Sequence, residues 1–110
     1  MSRPDRVLSL LGIAMKAGKV VSGETSTEAA VKSLTAYLVV VACDASDNTR
    51  KHFTDMCRYR DIPIITYSSR EELGRAIGKD YRSNLAVTDE GLADAVMQAA
   101  GSNTKEEESI

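Results

Sequence analysis

The 110-residue chain predicts an α/β fold, a three-layer α-β-α sandwich with a central sheet of about four strands. Three observations carry this expectation. Short β-branched runs alternate with stretches of helical period. Tyr37, Leu38, Val39, Val40, Val41 and Ala42 form a continuous apolar run, the pattern of a strand buried on both faces. Ser46, Ser69 and Asp89 stand where helices should open, each with a side-chain oxygen to cap them.

Taken in order, Ser2 and Asp5 bracket Pro4 as a Ser-x-x-Asp helix start with proline in the first turn. Val7, Leu8, Leu11, Ala14 and Met15 follow at helical spacing, so a helix is expected over residues 4–17 with Gly18 as its C-cap. Val20, Val21 and Ser22 read as a short strand, and Gly23 as the turn into a second helix over residues 25–34. The apolar run at residues 37–42 is the second strand. Ser46 opens a helix to about residue 60, with Phe53, Met56 and Cys57 inward. Residues 62–67 are a further apolar strand, with Pro63 best placed at its start.

Ser69 and Glu72 form a capping box for a helix that turns Leu73, Ala76 and Ile77 inward and ends at Gly78. Residues 79–84 are a polar loop and residues 85–88 the fourth strand. Asp89 caps a last helix with Leu92, Val96 and Ala99 on its apolar stripe. One domain over residues 1–101 and a disordered polar tail over 102–110 are expected.

Composition narrows the function. The content is 43% hydrophobic and 27% charged, ordinary for a globular domain. The net charge of −2 opposes a strongly basic nucleic-acid protein, yet Glu106, Glu107 and Glu108 fall in the tail. Within residues 1–22, Arg3, Arg6, Lys16 and Lys19 face only Asp5, which permits a local basic surface. No apolar run nears the ~18 residues of a membrane span, and the first residues lack the pattern of a secretory signal. A cytoplasmic monomer is expected. Cys43 and Cys57 have neither metal-like nor redox-like spacing and read as two buried small hydrophobes. His52 reads as a solvated surface residue, and a zinc site around it would need carboxylates to complete it. Neither metal nor cofactor is expected.

The stretch 20–32 concentrates the chemistry. A strand, a glycine turn and a helix start leave backbone N–H groups without helical partners, which suits an anion. Lys16, Lys19 and Lys32 can surround it, and Tyr81 with Arg82 can stack on an unpaired base. An enzyme would have to be built on Asp44, at the end of the central strand, with Asp47 or Asp89. Capping and turn formation explain those three carboxylates more simply, and no nucleophile–base pair or Gly-rich nucleotide loop is visible.

Four segments then resemble one family: Gly23-Glu24-Thr25-Ser26-Thr27, Leu38-Val39-Val40-Val41-Ala42-Cys43-Asp44, Leu73-Gly74-Arg75-Ala76-Ile77-Gly78-Lys79 and Ala86-Val87-Thr88-Asp89-Glu90-Gly91. They are similar to the kink-turn-binding ribosomal proteins of the L7Ae/L30e type, most of all its small bacterial members, over nearly all of residues 5–100. The resemblance implies a sandwich fold that binds structured RNA, of the ribosome or associated with it, and catalyses nothing. It implies that the turn at Gly23 approaches sheared G·A pairs and that the loop after Gly78 covers a flipped-out base. Carried over, the RNA-binding residues are Lys19, Gly23, Glu24, Thr25, Ser26, Lys32, Lys79, Tyr81 and Arg82. Thr25-Ser26 stands where many members have Asn-Glu, and Ala29 where the family has a lysine. The single hydroxyl of Ser26 makes a weaker contact to guanine than a carboxylate. An alternative is a protein-interaction module on the same fold with weak or lost RNA affinity.

Overall fold

The strand β2 (Leu38–Val41) is fully buried and lies inside a four-stranded sheet of order β1-β4-β2-β3. The computed structural model describes residues 5–108, with side chains through residue 101. Its elements run α1 (Arg6–Lys16), β1 (Val20–Ser22), α2 (Glu24–Lys32), β2, α3 (Asp47–Tyr59), β3 (Ile64–Thr66), α4 (Arg70–Ala76), β4 (Asn84–Val87) and α5 (Glu90–Glu108). β4 is antiparallel to both β1 and β2, whereas β3 is parallel to β2, as the helical crossover between them requires. α1, α4 and α5 cover one face, and α2 and α3 the other. This is the expected three-layer arrangement.

The helix starts follow from side-chain oxygens. Ser46 accepts from the Thr49 N–H, Ser69 from the Glu72 N–H and Asp89 from the Leu92 N–H. Asp5 accepts from the Leu8 N–H, so it is the N-cap of α1 and not a first-turn residue. The expected start at Ser2 and Pro4 lies outside the described residues. The core gathers Val7, Leu11, Val31, Phe53, Leu73 and Val96 around the sheet.

Several expectations are corrected. The apolar run at residues 62–67 is strand only over β3, an edge strand with an exposed Thr66 that among the described residues pairs with β2 alone, whereas β4 is fully buried. Cys57 is buried, but Cys43 is exposed, because it sits just past the end of β2 where the chain leaves the core. α2 begins at Glu24, one residue before the expected start, because Gly23 at φ 90° and ψ 154° turns the chain directly into it. α5 runs from Glu90 through Gly101 to Glu108. Gly101 is not among the glycines with positive φ, so it does not stop the helix as Gly18 and Gly78 do theirs.

Candidate nucleic-acid interface

β1 and β4 are neighbours in the sheet, and Ser22 pairs with Leu85 at the end where β1 finishes and β4 begins. This register sets the turn after β1 beside the loop before β4. The Gly23 N–H donates to the Asn84 carbonyl at 3.3 Å, and Arg82 Nε donates to Ser22 Oγ at 2.9 Å. Two segments some sixty positions apart in sequence therefore form one surface.

The first side of that surface is the start of α2. Gly23 has no side chain to cap the helix, so the N–H groups of Glu24, Thr25 and Ser26 stay without a capping oxygen. All three side chains are exposed. Thr27 turns inward and is fully buried, with no partner for its hydroxyl. The helix is thus pinned on one side while its first turn faces solvent.

The second side is the loop over residues 79–83. Gly74 is buried in α4, and a Cβ there would lie 1.8 Å from the Asp80 carbonyl oxygen, so only glycine lets the loop fold down on this helix. The Lys79 N–H donates to the Gly74 carbonyl at 2.8 Å and the Arg82 N–H to the Arg70 carbonyl at 3.0 Å, which fixes both ends of the loop. Tyr81 between them is 66% exposed. Glu71, Arg75, Lys79, Asp80 and Tyr81 line a shallow groove of about 460 Å³. Arg75 pairs with Glu71 at 3.0 Å, so Lys79 and the exposed Tyr81 ring are what suit this groove to a phosphate contact and to stacking on an unpaired base.

The structure thus brings Ser22 and Gly23 against Arg82 and Asn84, so that Glu24, Thr25 and Ser26 follow directly from the joined segment, with Tyr81 and Lys79 further along the loop. It sets Lys19 and Lys32 apart from them. Lys19 precedes β1, where its carbonyl accepts from the Thr88 N–H, at the opposite end of the strand from Gly23. Lys32 ends α2, about 12 Å along the axis from Glu24, and lies 3.7 Å from Glu28. Both flank the centre of the surface.

Asp44 is engaged in holding α4. Its Oδ1 accepts from the Arg70 backbone N–H at 2.8 Å, and its Oδ2 lies 3.5 Å from Arg70 Nε. The backbone hydrogen bond from Arg70, helped by the guanidinium charge, lowers the carboxyl's pKa below its ordinary value. Asp89 caps α5. Both carboxylates serve helix starts.

A second cluster escaped the sequence reading. His52 on α3 meets Glu28 on α2, Nε2 to Oε2 at 2.8 Å, and Glu24 lies one turn before Glu28. The hydrogen bond with His52 is the main cause holding the Glu28 carboxyl below its usual pKa. The i, i+4 spacing of the two glutamates was readable in the sequence. The packing of α3 beside α2, which brings His52 to them, was not.

Residues 5–97 match the Ribosomal protein L7Ae/L30e/S12e/Gadd45 family. The RNA-binding protein YlxQ of Bacillus subtilis (strain 168) is 46% identical over 88 residues, 80% of this chain and 88% of that protein. The RNA-binding protein YlxQ of Enterococcus faecium is 38% identical over 89 residues, 81% of this chain and 85% of that protein. A solved structure of a protein with unknown function from Bacillus halodurans superposes with a TM-score of 0.85 at 34% identity, covering 87% of this chain and 97% of that one. The Giardia lamblia 15.5kD RNA binding protein shares the fold, with a TM-score of 0.75 at 20% identity over 93% of this chain and 90% of that one.

Proposed function

The chain belongs to the ribosomal protein L7Ae/L30e/S12e/Gadd45 family, and on that premise we propose that it is a non-catalytic RNA-binding protein. Its surface is the joined pair of the α2 start and the α4–β4 loop. The observation that carries this reading is the Arg82–Ser22 hydrogen bond, which holds a helix N-terminus and a cation-bearing loop in one fixed relation. Relatives named as RNA-binding proteins at 46% and 38% identity support it.

The ligand class follows from the shape. A regular A-form helix offers side chains a wide, shallow groove and phosphates, whereas a kinked or bulged helix also offers splayed bases. The free N–H groups of α2 donate to a phosphate or to acceptors on a base edge, Gly23 allows close backbone approach, and Tyr81 with Arg82 covers an unstacked base. Lys79 contacts phosphate in the same loop, and Lys19 and Lys32 contribute charge from the flanks. The protein acts as a cytoplasmic monomer on structured RNA of the ribosome or RNA associated with it.

Filter binding to a kink-turn RNA over a salt series tests this, with Gly23→Asp and Lys32→Glu as probes. The reading expects affinity to fall steeply with salt. It expects Gly23→Asp to weaken binding strongly, and Lys32→Glu mildly because Lys32 stands at the far end of α2. Equal affinity for all three proteins overturns the site. Capture of a protein partner after nuclease treatment, with no RNA bound, supports the protein-interaction reading that the acidic Glu24 and Glu28 favour.

A further inference from the structure

Glu24 and Glu28 are an anomaly in a surface that meets phosphates. They lie at i and i+4 on α2, where like charges repel each other and a nearby polyanion alike. The two are joined by His52 from α3, and one ligand atom from each of the three residues lies within 4.8 Å of the others. Side-chain oxygens alone would suit Mg²⁺ or Ca²⁺; an imidazole nitrogen beside two carboxylates suits Zn²⁺ and its neighbours.

We propose that Glu24, Glu28 and His52 form a site for a divalent transition-metal ion of the Zn²⁺ class. The dimensions fit. Ligand atoms at about 2.0–2.2 Å from a tetrahedral ion stand about 3.3 Å apart. The His52–Glu28 pair, now at 2.8 Å, therefore opens by about 0.5 Å, and Glu24 closes in by turning its side chain. The imidazole is positioned by an edge contact with Phe53, whose ring is fully buried, so the nitrogen ligand comes from an anchored part of α3. All three side chains reach solvent, which leaves coordination positions open on the face that α2 shows to a ligand.

Binding the ion has two electrostatic consequences. It cancels the charge of both carboxylates, and by neutralising Glu28 through Oε2 it weakens the hold of Oε1 on Lys32, which then pairs more readily with a phosphate. The metal thereby converts the acidic side of α2 into one that tolerates RNA. This second consequence rests on the RNA-binding reading; the metal site does not.

The test uses the full chain and Zn²⁺ alone, titrated against a chromophoric chelator. Cys43 is an exposed thiol, so the Cys43→Ser protein is measured in parallel. The site predicts one Zn²⁺ per chain with and without Cys43, and at least a tenfold loss of affinity in His52→Gln and Glu28→Gln. Absence of stoichiometric binding in Cys43→Ser, or affinity unchanged by both substitutions, overturns it. RNA affinity is then compared in Zn²⁺ and in chelator. Wild type should gain several-fold with Zn²⁺ and His52→Gln should not; equal affinities in wild type overturn the coupling. RNA binding in chelator without any Zn²⁺ binding would refute the metal site alone. Zn²⁺ binding with no RNA affinity in either condition would refute the RNA reading alone.

Discussion

Arg82 reaches from the α4–β4 loop to Ser22 at the end of β1 and donates a 2.9 Å hydrogen bond from Nε to its Oγ. The same guanidinium donates from a terminal nitrogen to the Tyr81 carbonyl at 2.8 Å. One side chain therefore ties the loop to the strand that leads into α2 and also braces the loop on itself. Arg82 is half-buried, which gives it a structural anchor and a charged edge toward solvent.

Arg82→Ala should lower RNA affinity about tenfold, roughly 1.4 kcal/mol, by freeing the loop and removing a cation. The salt slope of log K should fall by about one, the share of one phosphate contact. Ser22→Ala should cost less affinity and leave the slope unchanged. Fluorescence anisotropy over a salt series separates the two.

Gly74→Ala should destabilise the fold by about 3 kcal/mol or more, since its Cβ meets the Asp80 carbonyl at 1.8 Å and backbone must move. Urea denaturation measures this. RNA affinity should drop with it even under conditions where the protein stays folded, because the displaced segment carries Lys79, Tyr81 and Arg82.

Gly23→Ala tests a different effect. Nothing lies within 4 Å of a Cβ at this position, so no clash arises. The cost comes from φ 90° and ψ 154°, a backbone region reserved for glycine, and should be about 1–3 kcal/mol in the same denaturation measurement. A loss below about 0.5 kcal/mol would show that the turn relaxes without strain.

The layers of the fold were legible because they depend on local signals. β-branched runs, capping hydroxyls and positive-φ glycines each act within a few residues, and Ser46, Ser69 and Gly78 behave as their sequence context requires. What escaped depends on placement. Whether an apolar strand is central or an edge is decided by its neighbours, so the apolar composition of β3 and β4 did not tell that β4 is fully buried and β3 is not. Cys43 reads as apolar but falls beyond the last sheet pair. At the site, the sequence order put Gly23 and Arg82 in separate loops with no measure of their distance. The register of β1 against β4 supplies it. Nor could a distance be read for Lys19 and Lys32, expected around the helix start; strand and helix length set them at its flanks.

The two cysteines should differ in reactivity. Exposed Cys43 should react with a thiol reagent in the native protein at mildly alkaline pH, whereas Cys57 should react only on unfolding, because burial pushes its thiol up to about 11. Burial, and then the 2.7 Å hydrogen bond from its hydroxyl to Asp5, push Tyr67 up to about 12. Both groups release their protons more easily when unfolded. Their contribution to stability is therefore intact below about pH 9 and is lost as pH rises through 11 to 12. Urea midpoints from pH 8 to pH 11.5 should fall progressively above pH 9.

The central claim is that the α2 start and the α4–β4 loop act together on bent RNA. Its most direct test is the affinity of the full chain for a kink-turn RNA against a fully paired duplex of the same length, at one salt concentration. The account predicts at least tenfold preference for the kinked RNA, lost in the Arg82→Ala protein. Equal affinity for the two RNAs, or a preference that survives Arg82→Ala undiminished, would contradict it.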